Sequence, residues 1–312
     1  MTADADTPLV SVITPVYRGE QTLVRAVKSL LGQDYPHWEQ WIIMDDGHDY
    51  QALLSDAGID DPRIHFIRSE GIGTGPNRTR NLALELAAGQ IIAPLDADDL
   101  FYPSRLSTLV PLALKYGVAG DNVRVVDETD NQPMADLFPL FDGYRTLPLD
   151  EYLQTTTPCV FLFRRDCVKQ GWSPDVILGE DTLFNLRAME QADRCVLWGA
   201  PLHEYRVNTQ SICHSDDAAS RADNSYQHCL ARIRNDGMGF ESLRYLEKVE
   251  QMLIRKKQIN LDYDVALKAG FDGSYQHFVL QDRLANGDWE KCCSNADKQA
   301  DKQADEQKES VE

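Results

Sequence analysis

The chain has 312 residues, 43% of them hydrophobic and 26% charged, and carries a formal net charge of −19. That composition suits a globular protein with one large core, or one core and an appendage, and excludes wholesale disorder. So negative a chain repels phosphate backbones and anionic lipid surfaces, which excludes nucleic acid as a default partner and calls for a local cationic patch or a metal around any anionic substrate.

No stretch approaches the ~18 to 20 consecutive apolar residues of a membrane helix, and the opening MTADADTPLV is acidic where a signal peptide is basic. The sequence therefore predicts a cytoplasmic protein without a transmembrane segment, at most peripheral at the inner membrane face. Its cysteines, Cys159, Cys167, Cys195, Cys213, Cys229, Cys292 and Cys293, lack CxxC spacing. Neither a zinc site nor a disulfide framework is indicated.

LVSVI (9 to 13) reads as a first strand, and Leu23, Val27, Leu30 and Leu31 then recur at helical spacing. WIIM (41 to 44), IHFI (64 to 67) and IIAPL (91 to 95) read as further buried strands. Alternation of such runs with helical periodicity up to about residue 206 predicts a layered α/β domain. After His214 the strand-like runs stop, and SLRYLEKVEQMLIRKKQI (242 to 259) carries helical periodicity. The expected division is an α/β domain over 1–216, a helical appendage over 217–291 and a polar tail over 292–312 with little to bury.

Acidic residues follow two of the predicted strands: Asp45 and Asp46 after WIIM, and Asp96, Asp98 and Asp99 after IIAPL. In open α/β sheets, ligands bind at the carboxyl ends of the strands. Asp96 and Asp98, two positions apart across a tight turn, can offer oxygens to one hard divalent cation bridging to a diphosphate. A turn leading into the helix near PSRLSTLVPLALKY explains the same residues without a ligand, because Asp is common in turns and helix caps.

VSVITPVY (10 to 17), IIMDDG (42 to 47), GPNRTRNLALELAAGQIIAPLDADD (75 to 99), LGEDTLFNLRAM (178 to 189) and YRVNTQSI (205 to 212) occur in the order and at about the spacing of family 2 glycosyltransferases. The resemblance covers roughly residues 9 to 215. It implies a GT-A fold, a Rossmann-like sandwich on a mixed, mostly parallel central sheet, and an inverting, metal-dependent transfer of sugar from a nucleotide donor to a hydroxyl acceptor. By that resemblance Pro15 and Tyr17 line the nucleobase pocket, Asp46 accepts a hydrogen bond from uracil, and Arg80 and Asn81 stand near the nucleotide, with Thr79 where relatives carry alanine. Asp96 then faces ribose and metal, and Asp98 ligates Mn²⁺ or Mg²⁺. Asp99 falls behind them or caps the helix. Asp181 takes the role of general base and Glu180 that of orienting the acceptor, although both also suit the dipole at a helix start. Arg206 contacts the diphosphate. The resemblance weakens at Val207 and Asn208, where many relatives have histidine two residues after the arginine; His203 and His214 are out of register for that role.

The implied donor is a UDP-sugar, with GDP-mannose as its rival, and the acceptor a saccharide or lipid-linked glycan. Segment 130–160 is a candidate acceptor surface, and the appendage one for acceptor or homo-oligomer contacts. Trp172 suits either a sugar face or the core. A nucleotidyltransferase would need a GxGTR-like loop after the first strand, where this chain has TPVYRGEQ. A catalytically silent relative that binds a nucleotide sugar or partner protein is the other alternative.

Overall fold

The computed structural model describes residues 7–155, 157–207, 218–273, 275 and 277–279. Asn208, Cys213, His214 and the 292–312 tail lie outside the described residues.

The first half is a strand–helix alternation: β1 (Val10–Val16), α1 (Leu23–Leu31), β2 (Trp38–Met44), α2 (Tyr50–Asp56), β3 (Ile64–Arg68), α3 (Pro76–Leu86) and β4 (Ile91–Pro94). Then come β5 (Leu100–Phe101), α4 (Arg105–Tyr116), β6 (Gly117–Asp127), β7 (Pro133–Asp136), β8 (Tyr144–Thr146), α5 (Leu149–Tyr152) and β9 (Leu162–Arg164). The chain continues through α6 (Glu180–Gln191), β10 (Arg194–Val207), α7 (Ala218–Asp236) and α8 (Leu243–Lys268).

All the strands join one sheet, ordered β3-β2-β1-β4-β9-β6-β10-β5, with β7 on β6 and β8 on β10. The longest ladders, β1 with β2 and β6 with β10, are parallel, as are β2 with β3 and β1 with β4. The antiparallel pairings are short. From β1 the chain builds outward through β2 and β3, then crosses by α3 to place β4 on the other side of β1. That reversal opens a crevice beyond the carboxyl ends of β1 and β4, where an α/β sheet binds its ligand.

The period-2 alternation of the strands divides the core between two faces. Val10 and Val12 pack with Leu30 of α1 and Leu106, Leu109 and Ala113 of α4. Ile13, Ile43 and Ile92 face the opposite side, with Ala83 of α3 and Leu183 and Leu186 of α6. Cys229, Leu230 and Ile233 of α7 and Val249, Met252 and Leu253 of α8 belong to that second cluster. The segment expected as an appendage thus completes the core of the α/β layers over its described part. Phe138, Leu147, Leu149 and Tyr152, from the segment read as an acceptor surface, are also core residues. Cys159, Cys167, Cys195 and Cys229 are buried thiols outside any disulfide among the described residues. Among the described residues no helix is long and apolar enough to cross a membrane.

Candidate functional site

Local rules explain how the side chains reach the crevice. Gly19 follows β1, and a Cβ there would stand 2.5 Å from Val16 Cγ2 and 3.6 Å from Ala97 Cβ. The short distance to Val16 makes glycine the fit at this turn out of β1, while Ala97 of the acidic turn stands at ordinary contact distance. Beyond β2, Asp45 is buried and gathers Thr74 N at 3.0 Å, Thr74 Oγ1 at 2.7 Å and Gly75 N at 2.9 Å. It shapes the loop that enters α3, which starts at Pro76, where a missing N–H costs nothing. GIGTG (71 to 75) is therefore a loop built around Asp45, and PNR (76 to 78) opens α3.

Tyr17, Arg18, Glu20, Asp46, Gly47, His48 and Ile72 line an open cleft of about 430 Å³ at the ends of β1 and β2. Tyr17 is exposed, and Pro15, inside β1, is half-buried behind it. Asp46 Oδ2 accepts from Arg18 N at 2.5 Å and Tyr50 Oη at 2.6 Å, and Oδ1 accepts from His48 N at 2.9 Å. Partial burial works against the charge of Asp46, but these donors outweigh it and hold the carboxyl below its usual range.

Arg80 is buried and joins the two acidic motifs. Its Nη2 donates to Asp96 Oδ1 at 2.6 Å, and its Nη1 stands 3.2 Å from Asp181 Oδ1. Burial opposes the guanidinium charge, yet Asp181 and Asp96 overcome that penalty and raise its pKa. Asp181, in the first turn of α6, keeps 46% of its side chain accessible. Burial pushes its carboxyl up, Arg80 pulls it down, Asp96 pushes it further up, and a hydrogen bond from the Trp172 indole pulls it down; the balance is a raised pKa.

Asp98 is crowded by its own kind. Burial and the charges of Asp99, Asp96 and Glu128 push its carboxyl up to about 8. Among the described residues no three His, Cys, Asp or Glu side chains form a ligand set for a metal. Asp98, beside Asp96 and Asp99, supplies the oxygen donors that a hard divalent cation takes, although Asp96 already receives Arg80. Asp99 is fully enclosed, accepting from Arg206 N at 3.0 Å and lying 3.1 Å from His203 Nε2. Burial favours the uncharged form of both partners, raising Asp99 well above its usual range and lowering His203 to about 3. His203 is a packed, neutral partner of Asp99, set edge-on to Phe101.

Two expectations, for Glu180 and Asn81, are corrected by the geometry, and for Trp172 it selects the core alternative. Glu180 does not face an acceptor: it is buried, and its Oε1 accepts from Ser173 N and Arg187 Nη2, both at 2.5 Å. Asn81 does not face a nucleotide, because its amide makes two hydrogen bonds to the backbone of Trp172. Trp172 is no sugar platform; it is buried and stacks on Phe184 at 3.8 Å between centroids and 8° between planes. Arg206 sits beside the Asp98–Asp99 turn but is engaged, with Nε 2.5 Å from Glu128, Nη1 2.8 Å from Glu204, and Nη2 donating to Asn131. Glu128 also takes both arms of Arg25, at 2.9 and 3.0 Å, while Arg25 Nη2 reaches Asp98 O at 3.2 Å. Arg25 and Glu128 were not visible as site residues in the sequence, since one is a polar position on an amphipathic helix and the other lies in a turn.

The model of glycosyl transferase family 2 matches residues 11–172. The chain belongs to this family. It is 40% identical over 212 residues to a putative teichuronic acid biosynthesis glycosyltransferase, TuaG of Bacillus subtilis (strain 168), a match covering 66% of this chain and 81% of that protein. It is 33% identical over 114 residues to WfgD of Escherichia coli, a UDP-Glc:alpha-D-GlcNAc-diphosphoundecaprenol beta-1,3-glucosyltransferase, covering 36% of this chain and 44% of WfgD. Less than half the length of most of the curated relatives is spanned by the match. Among solved structures, S. aureus TarS 1-349 in complex with UDP-GlcNAc superposes with a TM-score of 0.61 at 17% identity, covering 79% of this chain and 72% of that one. That likeness establishes a shared fold, the GT-A arrangement.

Proposed function

We propose that this family 2 member is an inverting glycosyltransferase that moves a sugar from a UDP-sugar to a hydroxyl of a saccharide or lipid-linked glycan. The observation that carries the reading is the meeting of Asp96 and Asp181 on the single guanidinium of Arg80, beside the cleft of Tyr17 and Asp46. Direct displacement needs a carboxylate within reach of the acceptor hydroxyl, across the sugar from the departing nucleotide. Asp181 is the accessible carboxylate facing this crevice from α6. It takes the acceptor proton as the oxygen bonds to the anomeric carbon and the bond to the diphosphate breaks. Arg80 holds that carboxylate in place and favours its ionised form against the burial that opposes it. Asp98 and Asp96 are the residues to hold Mn²⁺ or Mg²⁺, which would offset charge on the diphosphate. The cleft at the end of β1 and β2 suits the nucleobase, with Tyr17 as its exposed aromatic face. WfgD, whose name includes UDP-Glc and a diphosphoundecaprenol acceptor, and the UDP-GlcNAc complex of TarS support the choice of donor and acceptor class.

The test is thermal melting against UDP, GDP and their sugars, with and without Mn²⁺, followed by transfer assays with each stabilising donor. A ligand that binds the folded state raises its melting temperature. Stabilisation by UDP and one UDP-sugar, with sugar transfer, is the expected result. Binding without any transfer or sugar release would favour the catalytically silent alternative, and no response to any nucleotide would overturn the donor assignment.

A further inference from the structure

Residues 171–178 form the loop that ends at Gly179 and delivers Asp181 to the crevice. Buried backbone groups need partners, and here side chains supply them. Asn81 Nδ2 donates to Trp172 O at 2.7 Å while Asn81 Oδ1 accepts from Trp172 N at 2.8 Å. Asn77 Nδ2 donates to Val176 O at 2.7 Å and Ser173 O at 3.2 Å. Glu180 accepts from Ser173 N. A Cβ at Gly171 would collide with the Asn81 amide, so glycine is required for this approach.

Asn77 and Asn81 are four residues apart, hence neighbours on one face of α3. Arg80, on the same helix, contacts Asp181 directly. The loop returns Trp172 to the same place, its ring 5.8 Å from the Arg80 guanidinium carbon and stacked on Phe184, where the indole favours the ionised form of Asp181. One helix therefore sets both groups that hold Asp181: Arg80 through its own side chain, and Trp172 through the grip of Asn81 on its backbone.

We propose that Asn77 and Asn81 are positioning residues for Asp181, acting through the 171–178 loop and not on the donor nucleotide. The inference rests on Asp181 being the base of the proposed transfer. A carboxylate displaced by about 1 Å loses about 10²-fold in rate while the donor site stays intact.

The test uses the full chain and its Asn77→Ala and Asn81→Ala variants, each also combined with Asp181→Asn, with UDP release from UDP-glucose and UDP-N-acetylglucosamine as the readout. Each asparagine variant is expected to lower kcat by about 10- to 100-fold and leave donor KM within about twofold. In the Asp181→Asn background the same change should cost nothing further, because residues that act through one group are not additive. Equal losses in both backgrounds, an unchanged kcat, or a raised donor KM at full kcat would overturn the proposal. Full turnover by Asp181→Asn alone would instead sink the base assignment on which it rests. Thermal melts run alongside, and Asn81→Asp, which keeps the acceptor for Trp172 N, replaces Asn81→Ala if that variant does not fold. Loss of folding in all the asparagine variants would overturn a positioning role in favour of a purely structural one.

Discussion

Arg80 Nη1 lies 3.2 Å from Asp181 Oδ1, so the proposed base rests on a guanidinium whose other arm is 2.6 Å from Asp96. Two carboxylates from distant parts of the chain are held near each other by one buried cation. A lysine at this position would keep the charge but not the fork, since an ammonium is a point donor on a flexible stem. Arg80→Lys is therefore expected to fold and to lose about 10²-fold in transfer rate. A variant with normal kcat would show that the bridge between Asp96 and Asp181 is incidental to turnover.

Asp181 must be ionised to accept a proton, so the rate falls as pH drops through its pKa. That pKa is raised above the usual 3.8, so the acid limb of the kcat profile is expected above that value. Asp181→Asn should remove the limb, keep donor binding and lower transfer by ~10²-fold or more. Trp172→Phe preserves an aromatic ring against Phe184 but deletes the indole donor that pulls the Asp181 pKa down. In that variant the limb should move to higher pH; a limb that stays put would exclude the Trp172 hydrogen bond as a control on the base.

The sheet and the acidic edges were legible because apolar runs and the carboxylates that close them follow simple periods. IIAPL does end at Asp96, and WIIM at Asp45 and Asp46. What failed was direction over a single residue. Glu180 and Asp181 are adjacent on a helix of 3.6 residues per turn, so they point about 100° apart: one enters the core to meet Arg187 and the other faces the crevice. Arg80 and Asn81 divide in the same way, one toward the carboxylates and the other toward the loop. Nothing local distinguishes such pairs, because direction depends on which helix face the sheet covers. Arg206 was harder still, since its partner Glu128 lies 78 residues away along the chain.

Asp98, proposed above as a cation ligand, occupies a position that costs the ligand-free fold. Its carboxyl is pushed up to about 8 by burial and by Asp99, Asp96 and Glu128. Asp98→Asn removes that crowding and should leave the melting temperature of the ligand-free protein unchanged or higher, a common trade between stability and function. The same variant should lose the Mn²⁺-dependent part of stabilisation by UDP and should not transfer sugar. Retained Mn²⁺-dependent stabilisation would remove Asp98 from the cation site.

Behind the site, Arg105 and Asp121 form an ion pair fully enclosed between α4 and β6, with Nε 2.9 Å from Asp121 Oδ1. Asp121 Oδ2 also accepts Leu202 N at 2.8 Å, and Arg105 lies over the Phe101 ring at 4.1 Å and donates to Val160 O at 2.6 Å. The pair ties α4, β6, β10 and the strand after the acidic turn into one block. Desolvating two charges costs nearly what their attraction returns, so the pair as a whole adds little net stability. Removing one partner is different, because the other charge is left buried alone. Asp121→Ala is expected to cost about 3 to 5 kcal/mol in chemical denaturation. Converting both residues to apolar side chains of similar volume, Arg105→Met with Asp121→Leu, should recover much of that loss. A single variant within 1 kcal/mol of the parent, on the order of an exposed pair, would mean that Arg105 finds water or another acceptor when Asp121 is gone.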